Sequence, residues 1–334
     1  MPELDVLGHF AIDATSPLLR VPRRDYIDLY FAGGWTAVAP TVGGDQTAGG
    51  TLRHLGQWHS FIRSNPDLML IRKASDLAKA RAAKQLGIIF HFQGSEPLED
   101  SLDLVDAYKA LGVGVIQLAY NTSNRIGDGA EEPNDRGLSQ FGKRMIRRFN
   151  EARVIVDCSH TGLRTTFDAI EVSSAPVILS HANPRTMRDV SRNVPDEELK
   201  AIGGTGGVVG ILGYPPFVSD KPKPDLDDYI RHIDYVVDLI GIDHVGIAVD
   251  YFRWQSPFVT DQEAARMRDE FVARGLWDPD SYSPPPYHYP AGFETPDKLP
   301  GLIGALGKRG YSDADMRKIL AENFMRIYKQ VWGD

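Results

Sequence analysis

R-V-I-V-D-C-S-H at residues 153–160 is followed by a helical segment and then by A-P-V-I-L-S-H at residues 175–181. Each run is short, apolar and β-branched, and each ends in a histidine. His160 and His181 therefore lie one strand–helix–strand unit apart. In a parallel barrel such strands direct their C-terminal ends at a shared mouth, where active sites are built. Two imidazoles delivered there together point to a metal site. A lone strand-end histidine is as well explained by a structural hydrogen bond, so the rest of the chain decides between the readings.

The same rhythm continues in both directions. Eight strand candidates emerge: Phe10–Thr15, Trp35–Thr41, Gly87–Gln93, Val113–Tyr120, Arg153–His160, Pro176–His181, Gly207–Leu212 and His244–Asp250. Amphipathic stretches lie between them. Ser101–Leu111 places apolar residues at 102, 104, 105, 108 and 111, one helical face. Asp225–Ile240 does the same with Ile230, Ile233, Val236, Val237 and Ile240. Alternating strands and helices define an α/β protein, and eight strands with interleaved helices predict a (β/α)8 TIM barrel. We expect one domain over residues 1–334, since barrels of this length count as one. A doubly wound sheet is the runner-up, but no G-x-G-x-x-G follows the first strand. G-G-T-G-G at 203–207 precedes a strand rather than opening a helix, so it reads as a turn and not as a phosphate loop.

Two segments break the rhythm. Gly43–Pro66 is polar, carries His54, Trp58 and His59, and reads as a loop plus helix beside the mouth. Asp261–Pro296 begins with an amphipathic helix and ends in S-P-P-P-Y-H-Y-P at 283–290. So dense a proline run is neither helix nor central strand. It predicts an irregular loop near 280–296, after the eighth strand and able to cover the site. Ser312–Trp332 reads as a helix capped by Ser312 with Asp315.

Composition excludes several classes of function. The 334 residues are 42% hydrophobic and 25% charged, ordinary for a globular protein. A net charge of −8 and the absence of a basic stripe argue against a nucleic-acid partner. R-M-I-R-R at 144–148 fits an exposed helix face. No stretch approaches the roughly 18 apolar residues of a membrane span. The opening M-P-E-L-D-V has no signal-peptide pattern, and the single Cys158 suits a reducing compartment. The expected location is the cytoplasm.

The strand ends assemble a candidate mouth: Thr15, His91 and Gln93, Tyr120, His160, His181 and Asp250. Alternation puts His91 and Gln93 on one face, with His91 as an inward residue supporting the site. Asp250 ends the apolar run V-G-I-A-V-D, where a carboxylate needs a cation or hydrogen bonds. Two His and one Asp form a common zinc set with an open position for water. A metal there would make a nucleophile available at neutral pH, and Asp250 could serve instead as the general base. Asp157 alternates to the face opposite His160 and reads as structural. His232 and His244 read as structural too, and His9 and His288 carry little signal. Arg192, in S-R-N-V-P-D-E-E-L, is placed on the loop above the mouth. There it suits bidentate capture of a substrate carboxylate, or else it is solvated or paired with Asp196.

D-C-S-H, A-P-V-I-L-S-H-A-N, S-R-N-V-P-D-E-E-L-K-A-I, G-G-V-V-G-I, H-I-D-Y, G-I-D-H-V-G-I-A-V-D, P-A-G-F-E and E-N-F-M-R-I together resemble the membrane (renal) dipeptidase family of zinc peptidases. The resemblance runs over nearly the whole chain. It implies a (β/α)8 barrel with a two-zinc site at its mouth, cleavage of dipeptides and, commonly, homodimers. By this resemblance His160 and His181 match two ligands of one zinc, Asp250 matches the catalytic acid, and Arg192 matches the substrate-carboxylate arginine. The departures are as specific. The family's Asp-Gly-His-x-Asp is Asp13-Ala14-Thr15-Ser16-Pro17 here, its bridging Glu is Gln93, and its transition-state His is Tyr120. Two adjacent dications need carboxylates for balance. The expectation is therefore zero or one zinc per chain, held by His160, His181 and one of Gln93, Asp250 or His91.

The resulting functional reading is a dipeptidase-like, metal-dependent hydrolase acting on an amide bond of a small carboxylate-bearing substrate, a dipeptide or N-acyl amino acid. Ordinary dipeptidase activity is expected to be weak or absent. Asp250 and Tyr120 are its candidate catalytic groups. Two alternatives stay open. One is a metal-free isomerase, lyase or tailoring enzyme using Tyr120, Asp250 and His160 as acids and bases. The other is an inactive binding protein on the same barrel.

Overall fold

The computed structural model describes residues 10–334, so His9 and the opening M-P-E-L-D-V lie outside the described residues. Among the described residues ten strands form: β1 (Ile12–Ser16), β2 (Ala37–Gly43), β3 (Leu68–Leu70), β4 (Leu86–Ile88), β5 (Phe90–Phe92), β6 (Val113–Gln117), β7 (Ile155–Asp157), β8 (Val177–Ala182), β9 (Val209–Ile211) and β10 (Val245–Ile247). Every pairing is parallel, in the order β1, β2, β4/β5, β6, β7, β8, β9, β10. The ring closes where Asp250 N donates to Thr15 O (3.1 Å) and Val249 N to the Asp13 carboxyl (2.9 Å). The expected (β/α)8 TIM barrel is thus the fold.

Three strand expectations need correction. Gly87–Gln93 is broken at Ile89, so β2 pairs first with β4 and then with β5. Leu68–Leu70 is an extra strand on the outer edge of β4; three residues are too few to show alternation in the sequence. Several strands also end early. Val113–Tyr120, Arg153–His160 and His244–Asp250 leave the ladder at Gln117, Asp157 and Ile247. The chain is turned there by left-handed residues, Asn121 (φ 59°), His160 (58°) and Asp250 (59°).

Inside the barrel the side chains form layers. Ile89, Val115, Ile155 and Ile178 make an apolar floor with Ala14, Ala37, Ala39 and Ala248. These small alanines leave room for Phe324, Ile327, Tyr328 and Trp332 of helix Asn323–Trp332, which plugs the bottom. Trp332 stacks on Tyr328 (4.1 Å) and donates its indole N–H to Gly114 O (3.0 Å). A Cβ at Gly114 would lie 2.7 Å from that indole, so only glycine admits it. The stretch expected as one helix from Ser312 is interrupted by a π turn at Lys318–Glu322; its Ser312–Asp315 capping box forms.

Two residues above the floor on each strand lies a polar layer: His91, Gln117, Asp157 and Ser180, all buried. Asp157 therefore points into the barrel, beneath the mouth. His160 also reaches the mouth because its left-handed backbone ends strand alternation before it. Above this layer, helix Ala48–Ser64 and the loop around Asp45 flank the mouth. Helix Asp261–Ala273 and the irregular, proline-rich 274–295 cover it. Among the described residues no helix is long and apolar enough to cross a membrane.

Candidate active site

His160 and His181 meet at the mouth, with their Nε2 atoms 2.8 Å apart. The backbone delivers each by an irregularity. His160 sits in the left-handed region, and its carbonyl is clamped by the N–H groups of Asn121 (3.2 Å) and Ala130 (2.8 Å). Gly129 lies so close to this turn that a Cβ would fall 2.0 Å from the Asn121 carbonyl carbon. His181 follows inward-facing Ser180 and would alternate outward. A register shift between Leu179 and Ala182 turns it over the mouth.

The surrounding hydrogen bonds decide the tautomers. Asn121 gives its amide hydrogens to Leu276 O and Tyr282 OH (2.9 Å each), so its carbonyl oxygen faces His160 Nδ1 at 2.6 Å. His160 Nδ1 must carry the proton. Ser180 Oγ donates to Asp157 (2.6 Å), Ser159 Oγ donates to Asp157 (2.8 Å), and Thr15 Oγ1 donates to Ala14 O (2.7 Å). No hydroxyl proton is left for His181 Nδ1, which donates to Ser180 Oγ at 2.8 Å. Both Nε2 lone pairs then point at each other. Burial, followed by the field of Arg192, holds both imidazoles well below their ordinary pKa and so neutral. Fixing the far ring nitrogen this way is how proteins present histidine to a metal.

The other predicted mouth residues divide. Gln93 directs its amide nitrogen between His181 Nε2 and Asp250 Oδ1, 3.3 Å from each. Asp250 lines the cavity; burial pushes its carboxyl up to about 8, against the pull of Arg192 and Gln93. Tyr120 stacks on His160 (4.2 Å) and accepts the Trp277 indole N–H (3.0 Å). Thr15 lies beneath His181, with Oγ1 3.4 Å from its Nδ1. His91 is one layer lower, its Nε2 held by Asp157 (3.1 Å), so it is not among the converging donors. His232 and His244 bond to backbone carbonyls.

Arg192 is not on a loop above the mouth. The segment dips inward, pinned by Val194 N to Asn183 O (2.9 Å), and buries the guanidinium behind His160. Its Nη2 donates to His181 O (3.0 Å), while Nε and Nη1 have no partner among the described residues. Asp196, its anticipated partner, is taken by Tyr235 OH (2.8 Å). Arg192 lines a polar cavity of about 210 Å³, with Asn193 and Glu198. A larger cavity of about 340 Å³ opens on the other side of His160, which borders both. Its outer wall is aromatic. Trp277 is the hub, stacked on Tyr282 (4.2 Å) and packed on Phe271 (4.8 Å) and Phe252 (6.1 Å).

This site sits in a recognisable lineage. The sequence profile described as Membrane dipeptidase (Peptidase family M19) matches residues 30–277. The chain belongs to the membrane dipeptidase family. An uncharacterized dipeptidase of Schizosaccharomyces pombe is 34% identical over 195 residues, which span 56% of this chain and 47% of that protein. A dipeptidase of Aspergillus oryzae is 29% identical over 290 residues, 84% of this chain and 61% of that protein. The matches thus cover less than two thirds of either fungal relative. Among solved structures, an amidohydrolase from Pseudomonas aeruginosa superposes with a TM-score of 0.86 at 31% identity, over 98% of each chain. The chain is therefore a hydrolase-like member of a dipeptidase family.

Among the described residues no three His, Cys, Asp or Glu side chains are grouped closely enough to hold a metal. Thr15 and Pro17 offer nothing in place of the resemblance's first His and Asp, and the Asp13 carboxyl is turned away to Tyr30 OH (2.8 Å) and Val249 N (2.9 Å). A two-zinc centre does not fit this donor set. The two Nε2 lone pairs converge with their protons fixed elsewhere, which supplies two of the three or four donors that a zinc ion takes. Sequence reasoning missed Asn121, Ser180, Trp277 and Tyr282. Only Asn121 left a signal, as an asparagine at a strand end where a left-handed turn is easy.

Glu198 carries a separate expectation. It is buried in the small cavity, its Oε1 has no partner among the described residues, and burial pushes it up to about 8. A carboxyl raised above its unfolded value stabilises fully below about pH 4.5, and this is lost as pH rises towards 8. Thermal stability should decline between about pH 4.5 and 8, by a term on the order of 2–5 kcal/mol. Glu198→Gln should flatten that decline in melts followed by circular dichroism. An unchanged slope would remove Glu198 as its source.

Proposed function

We propose that this chain is a hydrolase assisted by at most one zinc ion, cleaving the amide bond of a small carboxylate-bearing substrate such as a dipeptide or N-acyl amino acid. The observation that carries the reading is the pair of converging Nε2 lone pairs beside Asp250. His160 and His181 would hold the ion, with the Gln93 amide, turned over to present its oxygen, as a third donor. Zinc bound there supplies a Lewis acid and a water nucleophile near neutral pH.

The chain's own groups do the rest. Arg192 has two guanidinium nitrogens, Nε and Nη1, without partners among the described residues; such a buried cation calls for an anion, and it would hold the substrate carboxylate in the small cavity. The acyl half would then lie in the larger cavity, with the scissile amide over His160. Tyr120 has its oxygen fixed by the Trp277 N–H, so its own proton is free to meet the carbonyl oxygen as charge builds there. With a cation on the histidines, Asp250 would be drawn down from about 8 and left ionised, able to take a proton as water adds to the carbonyl carbon and return it to the departing amine. The aromatic wall around Trp277 excludes bulk water. The lone buried Cys158 fits a cytoplasmic setting.

A second reading rests on the same distance. At 2.8 Å the two Nε2 atoms could also share a proton taken up from a substrate, which suits metal-free acid–base chemistry on this barrel. Elemental analysis separates the two. The purified protein is expected to carry about one zinc per chain, lost in a His160→Ala/His181→Ala double variant, and the loaded protein should turn over members of a dipeptide and N-acyl amino-acid panel. No metal after zinc is offered would sink the hydrolase reading.

A further inference from the structure

The rim of the large cavity carries more positive charge than its partners neutralise. Arg20, Arg253 and Arg274 line it with Asp45 and Glu96, while the third lining acid, Asp250, lies at the inner end beside Gln93 and the histidines. Asp45 is shared, paired with Arg20 and 3.5 Å from Arg274. Glu96 accepts from Asn124 (3.2 Å) and has no cationic partner among the described residues. Arg253 has no acidic partner among them either. Its guanidinium lies over the Trp254 ring (5.2 Å), which holds it at the rim without neutralising it. Partial burial, and then the like charge of Arg20 on the same cavity lining, press its pKa below the ordinary value.

Like charges directed at one opening cost free energy until an anion arrives. Arg253 is three residues beyond Asp250, on the same loop, so this charge faces the cavity that ends at the reaction centre. The guanidinium fork matches a carboxylate in two hydrogen bonds. Arg192 lines the small cavity instead, so it does not serve this opening.

We propose that Arg253, with Arg20, forms a second carboxylate receptor at the rim of the large cavity and selects substrates whose acyl half carries an acidic group. The inference rests on the acyl half occupying that cavity, as the hydrolase reading has it. Acidic dipeptides should then be preferred over their uncharged isosteres.

The test compares Glu-Ala and Asp-Ala with Gln-Ala and Asn-Ala, which differ only in that charge. Binding is followed by quenching of tryptophan fluorescence, since Trp254 and Trp277 line the cavity, and turnover is measured in parallel. The wild-type protein should bind at least one acidic member about 10-fold more tightly than its amide, with the difference shrinking as salt rises. Arg253→Gln should erase that difference while changing amide binding by less than about threefold. Equal binding of acid and amide by the wild-type protein, or of neither, overturns the proposal without recourse to any variant. So does a preference that survives in both Arg253→Gln and Arg20→Gln. Selective binding without any turnover would keep the receptor and remove the hydrolase reading; turnover without acid preference would do the reverse.

Discussion

Asp250→Asn is expected to lower kcat by about 10²–10⁴-fold, the range for losing a positioned general acid–base group. KM and the melting temperature should change little. The substitution suits this position for a backbone reason. Asp250 is held in the left-handed region (φ 59°), by its N–H on Thr15 O (3.1 Å) and by the Tyr289 hydroxyl on its carbonyl. Asparagine tolerates that conformation as well as aspartate does. Alanine would add strain of about 1 kcal/mol or more and confuse the readout. The amide can also keep the Gln93 contact, so what is removed is the carboxyl that takes up and returns a proton. Steady-state kinetics on the best panel substrate, beside a thermal melt, checks both halves. A variant that keeps more than about a tenth of the wild-type kcat would take Asp250 out of the reaction.

The sequence was informative where chemistry coincides with strand ends. His160, His181, Gln93 and Asp250 all follow apolar runs, so the runs place them at one mouth, and the structure brings them together. It was least informative where the backbone departs from regular alternation. His160 and Asp250 reach the site through left-handed turns and His181 through a register shift. Simple alternation therefore put Asp157 on the wrong face. Arg192 was misplaced for a related reason: the path of a loop leaves no periodic trace, and nothing in S-R-N-V-P reveals that it dives behind His160. The aromatic wall was invisible too. Trp277 and Tyr282 approach Tyr120 from more than 150 positions away, by a segment whose composition announces only irregular backbone.

The departures from the family pattern form one system. Tyr120 stacks on His160 and is fixed by Trp277; Gln93 bridges His181 and Asp250; Thr15 closes the space under His181. Each replacement is bonded into the mouth rather than left loose. Losing the carboxylates that balance two dications therefore leaves a lower-charge site with its polar order intact. That is the physical basis for expecting altered chemistry and not a collapsed pocket.

Asp157→Ala is expected to destabilise the protein by about 3–5 kcal/mol, as for breaking a buried ionic network. The carboxylate is fully buried and accepts from Ser159 N (3.0 Å), Ser159 Oγ (2.8 Å), Ser180 N (2.9 Å), Ser180 Oγ (2.6 Å) and His91 Nε2 (3.1 Å). These bonds, with His91 foremost, outweigh burial and hold its pKa well below the ordinary value. Its contribution is therefore present above about pH 4 and lost as pH falls below that, and the alanine variant should show a weaker acid-side loss in urea titrations. The asparagine variant is the sharper test. Its amide can donate to Ser180 Oγ, which frees the Ser180 proton to turn towards His181 Nδ1. The imidazole proton would then move to Nε2 and close the lone pair that faces His160. Asp157→Asn should thus lose zinc by elemental analysis while retaining much more stability than Asp157→Ala. Full zinc retention in the asparagine variant would show that Asp157 supports the barrel without setting the tautomer above it.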